Sequence, residues 1–298
     1  MQHYSGSGLN LDFPRMAICF SMAIITIAAQ SAQARGKTEV SSKSTADIEM
    51  WRLDCGEMKI GDISYFSDAF AYDGQAADIS NGCYLIRNSE QYLLWDAGLS
   101  TEYLGNRAPD EDGWISSVSA TIESQLGRLG LNRTDIDLVS LSHYHGDHVG
   151  QAAEFAPSTL LISVADADRI RSMPQGNARR RLAPWFDGGA PMIEFAGDRD
   201  VFGDGSALIL AMPGHTPGHS ALLVNLPETG PVLLTGDLFH FRSEIGKRNV
   251  SRWNTSRAET LASIERFEAI RRAIDPLVIV QHEKRDVGLL PPFPESAK

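Results

Sequence analysis

From about residue 50 onward, short apolar runs alternate with stretches at helical spacing. Cys83-Tyr-Leu-Ile86 and Tyr92-Leu-Leu-Trp95 flank the polar residues 87–91 and predict the two strands of a hairpin. Val118, Ile122, Leu126 and Leu129 recur at helical spacing and Gly130 follows, which predicts a helix and its stop. A second helix carries Leu261, Ile264, Phe267 and Ile270 on one face, with Ser256-Arg-Ala-Glu259 as its capping box and Asp275-Pro276 at its end. Residues 138–142, 207–212, 232–235 and 277–281 are short apolar runs bounded by Gly, Pro or Asp, the pattern of buried strands. Residues 166–200, with Arg169, Arg171, Arg179-Arg-Arg181, Pro174, Pro184 and Trp185-Phe186, read as an irregular insertion, either a lid or a solvated basic helix.

The start of the chain follows different rules. No charged residue occurs from Met16 to Ala34, Arg15 precedes that stretch, and Ala32-Gln-Ala34 is an A-x-A cleavage pattern. Residues 1–34 therefore read as a secretory signal peptide, the apolar part being shorter than the roughly 20 residues of a spanning helix. The polar residues 35–49 read as a flexible lead-in, and the fold is expected from Met50 to the end at residue 298. The expected location is periplasmic or secreted, with no stable membrane association after cleavage.

Composition narrows the function classes. With 27 Lys+Arg against 38 Asp+Glu, the net charge of −11 argues against a nucleic-acid partner. Cleavage would remove Cys19 and leave Cys55 and Cys83, either as a pair or as two buried thiols.

The chemistry concentrates in Ser142-His-Tyr-His-Gly-Asp-His148, which places three imidazoles and a carboxylate within six residues, a metal-ligand pattern. Each later apolar run then ends near another potential ligand: His215, Asp237 and His282. Ligands delivered from several strand ends can converge on one spot, because strand ends carry sites while strand interiors carry the core.

These residues resemble the signature of the metallo-β-lactamase superfamily: His143-x-His145-x-Asp147-His148, Pro213-Gly-His215-Thr-Pro-Gly218, Thr235-Gly-Asp237 and distal His282, in that order. Trp95-Asp-Ala-Gly98 is similar to the superfamily's Asp-Thr-Gly turn, with Ala for Thr. The resemblance implies an α+β fold, the αββα sandwich of two mixed sheets with helices on the outer faces. It also implies a two-metal centre, with His143, His145 and His215 on one ion, Asp147, His148 and His282 on the other, and Asp237 bridging. Two zinc ions are expected per chain, since His145 stands where the di-iron relatives carry Glu. His219 and Asp96 are expected to be structural.

Two such ions lower the pKa of a shared water, so hydrolysis through a bridging hydroxide is the implied reaction, with Asp147 passing a proton to the leaving oxygen. The bridging Asp237 separates this chain from true β-lactamases. Leu53-Asp-Cys-Gly56 with Phe66-Ser-Asp68, Cys83-Tyr-Leu-Ile-Arg87 and Gly236-Asp-Leu-Phe-His240 resemble N-acyl-homoserine lactonases. Lactonases of that group carry Tyr three residues after the bridging Asp, where this chain has His240. Imidazole can donate a hydrogen bond as phenol does, so His240 is a candidate catalytic group. Tyr144 and Phe239 are candidate substrate contacts, and Phe66, Phe70, Trp185 and Phe186 further candidates for an acyl-chain groove. The expected partner is a small-molecule substrate, and a homodimer is left open. The alternatives are a related hydrolase acting on another lactone, a thioester, an organophosphate or a β-lactam, and a metal-binding member without catalysis.

Overall fold

The computed structural model describes residues 47–105, 109–110 and 113–298. The expected signal peptide and residues 35–46 of the expected lead-in lie outside them. The lead-in ends earlier than expected, because Ile48 and Glu49 already belong to the first strand.

Two mixed sheets stack face to face. The larger has seven strands in the order β4-β1-β2-β3-β5-β6-β7: β1 (Ile48–Ile60), β2 (Ala77–Asn88), β3 (Gln91–Trp95), β4 (Ile115–Ser117), β5 (Leu138–Ser140), β6 (Thr159–Ser163) and β7 (Met192–Phe195). The smaller has five in the order β12-β11-β10-β9-β8: β8 (Arg199–Asp200), β9 (Ala207–Ala211), β10 (Ser220–Leu226), β11 (Gly230–Leu234) and β12 (Leu277–Ile279). β2 and β3 form the expected hairpin, with Tyr84 opposite Trp95. Between the sheets, Met50, Tyr84, Ile86 and Trp95 pack on Ile209, Leu222, Val232 and Leu234. This dry layer supplies the main apolar burial.

Helices cover the outer faces, giving the αββα order, and the single-turn α2 (Gly146–Val149) follows β5. α1 (Ile122–Arg128), α3 (Val164–Arg171) and α5 (Ala183–Phe186) bury Leu126, Ile170 and Trp185 against the large sheet. The small sheet is covered by α6 (Arg257–Ile274), through Ile264 and Phe267. The Ser256 side chain accepts from the Glu259 N–H at its start, and Asp275 in the left-handed region ends it.

α1 begins four residues later than the apolar spacing predicts. Thr121 is its N-cap, accepting from Ser124 N–H, and Val118 packs instead in a satellite cluster with Met58 and Leu99. The expected irregular insertion is largely ordered as α3, α4 (Asn177–Arg181), α5 and β7. Its arginines are fastened: Arg179 forks onto Asp187 and Arg171 onto Glu194.

Cys55 and Cys83 are joined as a disulfide between β1 and β2. It lies against the turn after β3, where Gly98 has φ +57° and an added Cβ would fall 2.4 Å from the Cys55 Cβ. Among the described residues, no helix is long and apolar enough to cross a membrane.

Candidate metal centre

Strand polarity delivers the candidate ligands to one edge. β3 and β5 run parallel in the large sheet, so their carboxyl ends lie together. In the small sheet β9, β11 and β12 share a direction, since β9 and β11 are each antiparallel to β10 and β12 is parallel to β11. The residues just past these five strands are Asp96, the 142–148 loop, His215, Asp237 and His282. The two sheets are stitched there by the Ser220 N–H donating to Ser142 O at 2.8 Å and the Gln281 Nε2 donating to Asp96 at 2.8 Å.

The structure brings all seven expected ligands together in two groups. His143, His145, His215 and Asp237 form one, and Asp147, His148 and His282 form the other. Asp237 spans them. Its Oδ1 lies 3.1 Å from His148 Nε2 and 3.0 Å from His282 Nε2, while its Oδ2 lies 3.4 Å from His215 Nε2 and 3.7 Å from His143 Nε2. Asp147 Oδ2 is 3.5 Å from His282 Nε2 and 3.7 Å from His148 Nε2.

The outer nitrogens show what the inner ones offer. His282 Nδ1 donates to Ser80 O at 3.0 Å, and His215 Nδ1 to Asn254 Oδ1 at 2.8 Å. Donation there leaves a lone pair on each Nε2, yet His215 Nε2 faces His145 Nδ1 at 2.9 Å and His282 Nε2 faces His148 Nε2 at 3.4 Å. Buried His143 Nε2 and Asp237 Oδ1 have no hydrogen-bond partner. Converging lone pairs with orphaned buried acceptors are what a pair of divalent cations satisfies, so these residues fit such a centre. Burial opposes the Asp237 charge, but His282, His148 and His143 outweigh it and hold the carboxyl well below the usual carboxylate range. Burial and the charge of His148 hold the His143 imidazole well below its ordinary value.

The two residues expected to be structural have defined tasks. Asp96, in the left-handed region at φ +60°, accepts from Ser142 N–H at 2.6 Å and from His148 Nδ1 at 3.0 Å. His219 donates from Nδ1 to Met212 O and accepts from Asp237 N–H on Nε2, both at 2.9 Å, which fixes the loop that carries the bridge. Gly236 must be glycine in that loop: φ is +52° and an added Cβ would lie 2.6 Å from His219 Nε2.

Asp166 in α3 anchors the His215 loop from outside. Its oxygens accept from Gly218 N–H at 2.7 Å and Thr216 Oγ1 at 2.9 Å. Burial is the largest influence and pushes its carboxyl up to about 7 from 3.8. Over that interval the unfolded chain has lost the proton and the folded chain still holds it, so this group makes stability fall as pH rises. Asp166→Asn is expected to flatten that fall. Thermal unfolding at about pH 5 and about pH 8 tests it, since an equal loss in both proteins would remove Asp166 from the account.

A cavity of about 340 Å³ opens over the centre, with His145, Asp147, His215, Asp237, His240 and His282 at its floor. Its walls include the apolar Phe66, Met58, Ile79, Leu99, Trp114 and Trp253, together with Tyr103, Asp110, and Asn177 and Arg181 of α4. His240 Nε2 is 3.4 Å from Asp237 Oδ2, its ring packs on Phe66 at 4.5 Å, and its backbone N–H donates to Glu244 Oε2 at 2.7 Å.

The expected substrate contacts divide. Phe66 lines the cavity. Phe239 does not: it is turned into the core against Phe267 of α6, 4.9 Å away. Tyr144 likewise packs in the cluster beneath the large sheet, and Trp185 in the same cluster donates to Ser158 O. Phe186 packs at that cluster's edge, and Phe70 is 68% exposed under Arg252. The alternation of apolar and polar positions points Tyr144 and Phe239 away from the face their ligand neighbours use. Trp114 and Trp253 went unnoticed in the sequence. The available signal was a large aromatic inside a polar run, as in Ser251-Arg-Trp-Asn-Thr255.

Comparison with known proteins agrees with this fold. Residues 80–280 match the family model described as the metallo-beta-lactamase superfamily. The chain is similar to an N-acyl homoserine lactonase AttM of Azorhizobium caulinodans, at 26% identity over 190 residues, 58% of this chain and 65% of that protein. It thus spans just under two thirds of that relative's length. An N-acyl homoserine lactonase AttM of Rhizobium johnstonii is 26% identical over 250 residues, 80% of this chain and 94% of that one. A solved N-acyl homoserine lactone hydrolase, with N-hexanoyl-L-homoserine bound at its catalytic metal centre, superposes with a TM-score of 0.72 at 21% identity, covering 83% of this chain and 98% of that one.

Proposed function

Because this chain belongs to the metallo-beta-lactamase superfamily, we propose that it is a dinuclear zinc hydrolase that opens the lactone ring of N-acyl-homoserine lactones. The observation that carries the reading is Asp237, whose two oxygens face two separate His groups at the floor of a cavity with an aromatic wall. The similarity to lactonases supports the substrate class.

His143, His145 and His215 would hold one ion, Asp147, His148 and His282 the other, and Asp237 both. When bound, such a pair supplies Lewis acidity and a nucleophile from water at neutral pH. The chain's own residues do the rest. Phe66, Trp114 and Trp253 exclude water and give the acyl chain an apolar surface. His240 presents an imidazole N–H to the lactone carbonyl, its backbone fixed by Glu244. Asp147 Oδ2 is engaged by Asn81 Nδ2 at 3.0 Å, which leaves Oδ1 to take a proton and deliver it to the leaving oxygen. The uncharged stretch from Met16 to Ala34 supports export to the periplasm or beyond, and a disulfide is at home in such an oxidising compartment.

The test is acid release at constant pH from a long-chain N-acyl-homoserine lactone, using zinc-loaded protein and a chelated control. Fast release that the chelator abolishes is expected. No release from metal-replete protein would redirect the reading to thioester, phosphoester or β-lactam substrates.

A further inference from the structure

The cavity's lining is of mixed chemistry. Beside the aromatic residues, α4 presents Asn177 and Arg181. Asn177 is set close over the metal loop: a Cβ on Gly146, between His145 and Asp147, would lie 2.9 Å from its Nδ2. Arg181, one turn further along, has a side chain only 25% exposed and donates from Nη2 to Glu102 Oε2 at 2.9 Å. Glu102 lies in the loop after β3, so the guanidinium is braced from across the cavity's rim.

The brace is incomplete compared with its neighbours. Arg171 and Arg179 each spend two nitrogens on one carboxylate, as a guanidinium fork does when its partner is supplied by the protein. Arg181 meets a single carboxylate oxygen, and among the described residues nothing accepts from its Nε or Nη1. Nη2 carries one hydrogen on each forked edge, so a single acceptor leaves the other edge whole. That free edge belongs to a braced, partly buried cation on the wall of a substrate cavity.

A forked edge calls for two oxygen acceptors side by side. An unsubstituted acyl-homoserine lactone offers one carbonyl beside the ring, its amide. A 3-oxoacyl chain offers two, since the amide and keto oxygens of a β-keto amide can point the same way and be taken together. We infer that Arg181 is a specificity-determining residue that makes this site prefer N-(3-oxoacyl)-homoserine lactones over unsubstituted chains of equal length. The inference rests on the lactonase reading. It assigns Asn177 the neighbouring donor role and leaves bond cleavage to the groups at the cavity floor.

The contact is made to a part of the substrate that does not react, so it acts through KM more than through kcat. The experiment compares kcat and KM for N-(3-oxohexanoyl)- and N-hexanoyl-homoserine lactone with the zinc-loaded full chain and with Arg181→Lys and Arg181→Gln. A preference of about tenfold in kcat/KM for the 3-oxo substrate is expected, carried mainly by KM. Both variants are expected to bring the two substrates to about parity, because Lys keeps the charge without the fork. Metal content and thermal unfolding are measured alongside, and the Lys variant carries the test if the Gln variant does not fold. Equal kcat/KM for the two lactones in the unmodified protein, or a preference that survives in the Lys variant, overturns the inference while leaving the lactonase reading standing. Hydrolysis of neither lactone by metal-replete protein overturns both.

Discussion

Asp237→Asn is expected to leave a folded protein that holds one divalent ion in place of two and opens lactones about 1000-fold more slowly, equivalent to about 4 kcal/mol of barrier. The reason lies in the two oxygens. Oδ1 serves the His148 and His282 side and Oδ2 the His143 and His215 side, all within 3.7 Å. An amide keeps one acceptor and turns two N–H donors toward the other side. Whichever way it flips, one imidazole group then faces hydrogens where its lone pairs need a cation. The negative charge that offsets two divalent ions is lost as well. Metal analysis of the purified variant and acid release from lactone measure the two parts separately. Full metal content with full activity would refute the bridge.

The candidate ligand set is legible in the sequence because four of its members crowd into six residues and the other three each follow an apolar run. A strand end is readable one-dimensionally, and strand polarity then does the converging. Other features resist that reading for physical reasons. β1 packs Ile48 and Met50 into the layer between the sheets but Trp51, Leu53 and Cys55 onto the outer face, so both faces are buried and no alternation survives. Its register also slips between Asp54 and Glu57, which shifts the pattern partway along the strand. α1 misled by coincidence: Val118 stands at helical spacing from Ile122, but Thr121 supplies the cap and decides where the helix starts. The cavity walls were least visible. Trp114, Asn177, Arg181 and Trp253 come from separate loops and a short helix, and only the packing of β4, α4 and the segment before α6 brings them to one opening. Periodicity reports which face of an element is buried. It does not report which exposed faces look at each other.

The second large effect is expected at Asp96, which touches no substrate. Its carboxylate takes hydrogens from three elements at once: the Ser142 N–H after β5, His148 Nδ1 in the metal loop, and Gln281 Nε2 after β12. Asp96→Ala strands the Ser142 N–H at the junction of the two sheets and leaves His148 Nδ1 only Ser142 Oγ and Gln281 Nε2 only Gly82 O, so one of the amide's two hydrogens is stranded as well. At about 1–3 kcal/mol for each unsatisfied hydrogen, the loss is a large fraction of the stability of many domains, so a clearly lowered melting temperature is expected. Asp96→Asn separates shape from chemistry. The amide has nearly the same outline, and αL geometry suits Asn as well as Asp. It has one acceptor oxygen for donors that now meet two, and one of its neighbours must face an N–H. If that neighbour is His148, the imidazole is driven to carry its proton on Nε2, the nitrogen 3.1 Å from Asp237 Oδ1. A ligand in the wrong tautomer cannot bind. Metal affinity at the Asp147, His148 and His282 group is expected to fall about 10- to 100-fold, while the His143, His145 and His215 group keeps its ion. Competition with a chelator of known affinity, read as two dissociation steps in the unmodified protein, should show one step moved to lower chelator concentration in the variant and the other unmoved. Unchanged affinity for both ions would reduce Asp96 to a turn residue.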